Sequence, residues 1–331
     1  MNGLMLSAAT AAALGATLVA QTPNFFASRV VSFDTKGGAG GGIFDPTKAL
    51  GPPGGALDVH SLGIGGNLVL GFDVTVTDGP GADLIVSENP FFSGGLGRTF
   101  AEVVFVEVSS NGVDFARVPT RYFGPNVSPG PFGVVHVGSH AGFGGTIPVN
   151  VSATDPQDVV LAGGDAVDLA DLGGHPLVLA GRVDLGAITR VRLVDVVDGV
   201  STDSRGRTVR DAGAGSADID AVTVVHHRGN LDPRGPRIDL DIPPDGDFSM
   251  TIADPDGIAD LDPTSWNVAL FGHAIPAVDL LSFSRLVHAS PTSFTLRLGT
   301  SLPPGFLLHL ATSIKDRSGN RSGAARARPV N

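Results

Sequence analysis

The sequence predicts an all-β protein built from two β-sandwich modules. Its 331 residues are too many for one average core and suit two. The chain has 30 Asp but only 3 Glu, and Asp favours turns whereas Glu favours helices. Short apolar stretches alternate with turns rich in Gly and Pro, and none shows helical periodicity over ten residues. Together these patterns indicate strands joined by turns.

An apolar and small-residue run occupies residues 4–20 and ends at Ala20. Its length is typical of the hydrophobic region of a signal peptide, so we predict that residues 1–20 are removed on export. An ordinary buried segment is the alternative. A second apolar run of about 20 residues is missing from the sequence, so we predict no membrane span in the mature protein. The expected location is extracellular or at the cell surface.

The first module is predicted over residues 25–228. Its clearest strand is residues 68–76, where Leu68, Leu70 and Phe72 alternate with small or polar residues. Further strands are expected at residues 83–87, 101–109, 188–196 and 219–225. Residues 124–145 are rich in Gly and Pro with little strand pattern, which predicts a long excursion over the surface.

A polar segment separates this module from a second one. Residues 226–237 (HHRGNLDPRGPR) contain two Pro and two Gly, so we place a linker at residues 229–237. His226 and His227, at its start, are interpreted as solvated loop residues. Beyond it, residues 238–331 show a second sandwich-like alternation, most clearly at residues 294–298, and we expect the single Trp266 in its core.

The order of several short motifs in the first module is informative. Residues 45–53 (DPTKALGPP) are followed by 61–70 (SLGIGGNLVL), 106–115 (VEVSSNGVDF), 188–193 (ITRVRL) and 218–222 (DIDAV). This order resembles the galactose-binding-like jelly roll of discoidin-type domains. Bacterial secreted and cell-surface proteins are similar at residues 78–83, 88–91, 100–102 and 164–171. The resemblance covers about residues 28–225 and implies an exported jelly-roll β-sandwich, but no particular activity.

Two segments of the second module also carry a resemblance. Residues 251–262 (TIADPDGIADLD) and 314–320 (IKDRSGN) are similar to paired segments of bacterial immunoglobulin-like and cadherin-like modules. The resemblance implies a smaller immunoglobulin-like β-sandwich, which we interpret as a spacer.

Carboxylates in the first module suggest a calcium site. Short Asp-rich loops that contain Gly suit hard cations, although Asp residues that cap turns are the alternative. With no Cys, the chain has neither disulfides nor thiolate metal ligands. Jelly-roll domains gather cation ligands from their adjoining chain termini. The resemblance to them therefore implies further calcium ligands near the start and the end of the module. For Asp220, Arg192 is an alternative partner. The predicted calcium ligands are Asp45, Asp78, Asp83, Glu102, Asp165, Asp168, Asp218 and Asp220.

The charge and motif content restrict the function. A net charge of -11 argues against nucleic acid and anionic membrane as partners. Metalloprotease, nucleophile-elbow, P-loop and dinucleotide-binding motifs are all missing from the sequence. We therefore predict a secreted or cell-surface, non-catalytic binding or adhesion protein that is stabilised by calcium and binds an extracellular polysaccharide or cell-surface component. A single Trp and a single Tyr count against an aromatic sugar platform. The alternative is an extracellular carbohydrate-active hydrolase that uses Glu88 and Glu102.

Overall fold

The computed structural model describes residues 24–37, 42–55, 57–212, 215–241, 248–282, 284–298 and 305–329. It is 43% strand and 9% helical, which confirms the all-β class. The predicted signal peptide lies outside the described residues. Within the described ranges, no helix is long and apolar enough to cross a membrane.

Among the described residues before residue 229 there are sixteen strands, and most are short. They are β1 Arg29–Asp34, β2 His60–Ser61, β3 Asn67–Val76, β4 Leu84–Ser87, β5 Phe91–Phe92, β6 Arg98–Phe100, β7 Val104–Ser109, β8 Ala116–Arg117, β9 Arg121–Tyr122, β10 Val135–His136, β11 His140–Ala141, β12 Phe143–Gly144, β13 Asp165–Val167, β14 Ile188–Asp195, β15 Asp218–Ile219 and β16 Ala221–Val224. A short helix, α1, spans Pro176–Leu179, and single 3-10 turns lie at Gly42–Phe44, Pro46–Ala49, Val137–Ser139, Leu169–Leu172 and Leu185–Ala187.

Two antiparallel sheets of this first half share one core. The larger has the order β1-β3-β14-β7-β12, with β8 on β7, and the smaller has the order β13-β4-β16. Leu68, Leu70 and Leu193 of the larger sheet pack with Val86 and Val222 of the smaller. The alternation predicted for residues 68–76 thus places its apolar side chains between the sheets, as burial of apolar area requires.

In the second half, the part of the chain that the structure describes forms eight strands and one helix. They are β17 Arg237–Asp241, β18 Phe248–Ala253, β19 Leu261–Leu270, β20 His273–Ile275, α2 Ala277–Ser282, β21 Ser284–Ala289, β22 Ser293–Leu298, β23 Leu307–Asp316 and β24 Arg321–Pro329. The sheets β17-β18-β22-β21 and β20-β19-β23-β24 are both antiparallel. Met250, Ile252 and Leu310 are buried in the core that these strands supply. Trp266 packs against this core, and its Nε1 donates to Thr312 Oγ1 at 3.0 Å.

The halves meet over an extensive contact. Each sheet lies wholly before residue 225 or after residue 236. Across the boundary, Ala82 N donates to Gly323 O at 2.8 Å, and Arg321 forms an ion pair with Asp155. A small apolar cluster joins Ile85 and Val225 of the first half to Ala269 and Ala311 of the second. The second half is therefore packed against the first and not only tethered to it.

The surface excursion predicted for residues 124–145 is wrong in its second part. Val135, Val137, His140 and Phe143 are buried, and Val137 belongs to the core of the second half. Glycine permits the close approach, since a Cβ on Gly138 would lie 2.8 Å from Leu308 O. A Gly-rich stretch without strand periodicity thus forms part of the contact between the halves.

Candidate functional site

The pairing of β4 with β13 brings together three of the predicted ligands. Leu84 lies opposite Val167 in this antiparallel pair, so Asp83, just before β4, faces Asp168, just after β13. Asp83 N also donates to Val167 O at 2.8 Å. Asp78 follows β3 and completes the group. One carboxylate oxygen from each Asp lies within 4.8 Å of the others, and we call Asp78, Asp83 and Asp168 the assembled trio.

Asp83 is the fixed member of the assembled trio. It is fully buried; its Oδ1 accepts from Gly79 N at 2.8 Å and lies 3.0 Å from His226 Nδ1. Among the described residues its Oδ2 accepts from Leu169 N alone, at 2.8 Å, and so retains a lone pair. Burial raises the pKa of Asp83 to about 6, against the lowering effect of His226 and the backbone donors.

His226 was interpreted as a solvated linker residue, and that interpretation is wrong. Its side chain is 3% exposed, because Nδ1 bonds Asp83 while Nε2 lies 3.2 Å from Arg321 O of the second half. His227 is buried as well. Polar sequence alone indicated a loop, but the contact between the halves covers it.

The other two carboxylates of the assembled trio have fewer hydrogen-bond partners than Asp83. Asp78 Oδ1 is buried without a hydrogen-bond partner among the described residues, and burial raises the Asp78 pKa. Burial, followed by the charges of Asp83 and Asp171, raises the pKa of Asp168 to about 7. Three carboxylates this close repel one another unless protons or a cation compensate. A divalent ion bound by oxygen ligands would relieve the repulsion.

Glu102 and Asp218, two further predicted ligands, lie in a second acidic group together with Glu88. Asp218 N donates to Glu88 Oε1 at 3.0 Å. Glu88 Oε2 and Glu102 Oε1 are buried without partners among the described residues. Burial raises the pKa of Glu88 well above its usual value and that of Glu102 to about 7, with Asp218 adding to both shifts. The sequence predicted no metal ligand at Glu88, which entered only the hydrolase alternative as a functional residue.

The remaining predicted ligands have other partners. Asp45 is partly exposed and caps the turn at Pro46–Ala49, where it accepts from Thr47 N at 3.0 Å. Asp165 accepts from three successive backbone N–H groups, at residues 145–147, and from Thr146 Oγ1. Asp220, 1% exposed, accepts from Gly54 N at 2.8 Å and Gly55 N at 3.0 Å. These amides occupy the place where we expected calcium or Arg192, which instead pairs with Glu107.

A cleft of about 320 Å³ opens beside the assembled trio, between the two halves. Asp168 and Asp171 line it from the first half, and His309 and Arg326 from the second. Arg326 Nη2 lies 3.8 Å from Asp171 Oδ1 across the cleft. Burial lowers the pKa of His309 to about 4, and its Nδ1 has no partner among the described residues. No sequence pattern indicated His309 or Arg326, because they reach this place only through the packing of the halves.

A neighbouring cleft of about 340 Å³ is more apolar. It shares Ala166, His309 and Ala325 with the first cleft and continues along the same contact toward Phe92. The two clefts therefore follow one line between the halves.

Comparison with known proteins adds no family to this description, because neither a scan against protein-family models nor a search of curated proteins finds a match.

Proposed function

We propose that this protein is a secreted or cell-surface, non-catalytic binding and adhesion protein whose ligand site depends on calcium. The observation that carries the proposal is the double role of Asp168, which belongs to the assembled trio and also lines the cleft between the halves. An ion held by the trio would fix the 3-10 turn Leu169–Leu172 that follows Asp168. Calcium would then order one wall of the cleft.

The ligand chemistry of the trio favours calcium. Its donors are carboxylate oxygens, which hard cations prefer, and the chain has no thiolate to favour a softer metal. Asp83 is already oriented by Gly79 N, Leu169 N and His226, as expected for a ligand held before the ion arrives. Only Asp78 and Asp168 would need to adjust.

The polar lining of the cleft suits a hydroxylated ligand such as an extracellular polysaccharide. Arg326 donates hydrogen bonds, Asp171 accepts them, and neutral His309 accepts or donates according to its tautomer. The two aromatic residues most used against sugar rings are engaged elsewhere, since Tyr122 is buried and Trp266 packs on the second core. Recognition would therefore rest on hydrogen bonds and would be weak for a single sugar unit.

The galactose-binding-like and immunoglobulin-like identities of the two halves, and export through residues 1–20, form part of the same proposal. The facing antiparallel sheets of each half support the sandwich assignments. Export rests on the apolar run of residues 4–20 alone.

The hydrolase alternative has less support. A glycosidase needs two carboxylates on either side of a bound sugar. Glu88 is 2% exposed and Glu102 is 8% exposed, and neither lines the two clefts described above. Their raised pKa values are explained by burial among other acids. Hydrolysis of a polysaccharide that is lost on Glu102→Gln would favour the alternative.

The test is a glycan array probed with the full mature chain in calcium and again in chelator. We expect polysaccharide binding in calcium, at least a tenfold loss in chelator, and a similar loss for Asp168→Asn and Arg326→Ala. Asp220→Asn is the matched control, since Asp220 is also a buried carboxylate of the first half but accepts its hydrogen bonds from the loop amides Gly54 N and Gly55 N. Binding that survives both chelator and the cleft variants would contradict the proposal.

A further inference from the structure

The second half contains an acidic loop that the proposed function does not use. It joins β18 to β19 and carries Asp254, Asp256 and Asp260, which we call the loop trio. One carboxylate oxygen from each residue lies within 4.8 Å of the others. All three come from seven consecutive residues, so local chain geometry alone brings them together.

A buried oxygen within this loop has no donor. Asp254 is 0% exposed; its Oδ1 accepts from Asp256 N at 2.8 Å, whereas Oδ2 has no partner among the described residues. An unpartnered buried carboxylate oxygen destabilises the folded chain, and more so when it carries charge. Burial, together with the charges of Asp260 and Asp316, raises the pKa of Asp254. The loop therefore has an unmet requirement for a positive charge at Asp254.

Existing groups around the loop meet that requirement only in part. Arg234 pairs with Asp256, but its side chain is 69% exposed. Asp316, which adds a further negative charge, is held by Asn320, whose backbone N and Nδ2 donate to it at 2.8 and 2.7 Å. The exposed guanidinium of Arg234 thus offsets only part of the negative charge at this loop, and Asp254, Asp256 and Asp260 have oxygens left for an ion.

The backbone of the loop is held from two sides. Asp260 O accepts from Arg317 N at 2.9 Å, and Ile258 N donates to Pro291 O at 2.9 Å. Gly257 has φ +111°, a conformation that other residues rarely adopt, and it makes the sharp turn between Asp256 and Asp260. The ligand positions therefore exist before an ion binds.

We propose that Asp254, Asp256 and Asp260 bind a calcium ion at the start of the second half. The site is all oxygen, which favours a hard cation over zinc or copper. It lies beside the linker, since Asn320 Nδ2 donates to Asp232 at 3.3 Å and Arg234 reaches Asp256. The ion would fix the linker end of the second half. This site is separate from the calcium site of the proposed function, and either one can fail without the other.

The experiment measures calcium bound per full mature chain by equilibrium dialysis with elemental analysis. Asp254→Asn is expected to remove one bound ion relative to the wild type, and Asp260→Asn is expected to lower the affinity at least tenfold. Asp262→Asn is the matched control, because Asp262 is a partly exposed carboxylate of the same segment that accepts from Thr264 N at 2.9 Å and from Thr264 Oγ1 at 2.7 Å. A circular dichroism spectrum like that of the wild type shows that each variant is folded.

Asp83→Asn separates this proposal from the preceding one. If both sites bind, the wild type holds two ions and each of Asp83→Asn and Asp254→Asn holds one. If only the loop trio binds, Asp83→Asn holds as much calcium as the wild type and Asp254→Asn holds none. Calcium binding by Asp254→Asn equal to that of the wild type overturns the proposal. So does a wild type that binds no calcium, which would mean that a proton satisfies Asp254.

Discussion

The assembled trio and the loop trio have the same ligand chemistry but are built from different spans of the chain. Asp78, Asp83 and Asp168 come from two distant loops and are joined by the pairing of β4 with β13. Asp254, Asp256 and Asp260 lie in one turn between consecutive strands. The first trio therefore depends on the whole sandwich being folded, whereas the second depends mainly on a local turn. Perturbing each trio should consequently have different effects on the rest of the protein.

The largest effect is expected for Asp83→Ala. The variant leaves Gly79 N, Leu169 N and His226 without their acceptor in a fully buried position. Loss of such a network should lower the free energy of unfolding by about 3 kcal/mol, measured by urea denaturation in chelator. Asp73→Ala is the control; its side chain is 59% exposed, and we expect a change within about 0.5 kcal/mol. Equal effects of the two substitutions would mean that the hydrogen bonds of Asp83 contribute little to the stability of the first half.

A smaller effect is expected from pH, again at the assembled trio. The folded-state pKa values of Asp83, about 6, and Asp168, about 7, lie above the ordinary 3.8. Between pH 3.8 and about pH 7 the folded chain therefore binds more protons than the unfolded chain. The free energy of unfolding falls as the pH rises through this range. In chelator we expect the melting temperature to drop by about 5 °C from pH 5 to pH 8.

Calcium and substitution identify the source of that pH dependence. Calcium should reduce the drop, because the ion stabilises the deprotonated carboxylates. Asp168→Asn should also reduce it, because one of the titrating groups is gone. A drop that neither calcium nor Asp168→Asn reduces would show that other buried carboxylates with raised pKa values, such as Asp211, cause it.

The smallest change is expected in the calcium affinity of the loop trio when residues 232–331 are produced without the first half. Residues 232–331 contain all of β17–β24 and most of their core, so we expect a cooperative melt from this fragment alone. Its melting temperature should be lower than that of the full chain, since the partners of Arg321, Ala269 and Ala311 are removed. Its calcium affinity should nevertheless stay within about threefold of that of the loop trio in the full chain, because the ligands are local. A fragment that melts without a cooperative transition would mean that the halves form one folding unit.

Much of the fold was predictable from local patterns. The period-two alternation located β3 to within one residue, because the sides of a strand differ in burial whichever strand pairs with it. The strands predicted at residues 83–87 and 188–196 likewise match β4 and β14 to within one residue at each end. The burial of residues 135–143 could not be predicted in this way. Gly138 and its neighbours are buried through contact with the other half, and their sequence has no alternating pattern that would indicate it.

The candidate sites were predictable only in part. Asp78, Asp83 and Asp168 were predicted as ligands in two separate loops, and the structure brings their carboxylates together. Asp165 and Asp220 have the same residue type and similar spacing, and yet each is occupied by backbone amides. Spacing cannot distinguish a carboxylate that fastens a loop from one that is free to bind an ion, because the donors come from distant segments.

By itself, the sequence determined the all-β class, through its excess of Asp over Glu and its alternating apolar residues, and also the acidic turn at residues 254–260. These features depend on residues that are neighbours in the chain. Only the tertiary structure decided that Asp83 faces Asp168, that His226 is buried against Asp83, and that His309 and Arg326 complete a cleft with Asp168. The physical reason is that alternation specifies which face of a strand is buried, whereas strand partners and the packing of the two halves are set by contacts between residues far apart in sequence.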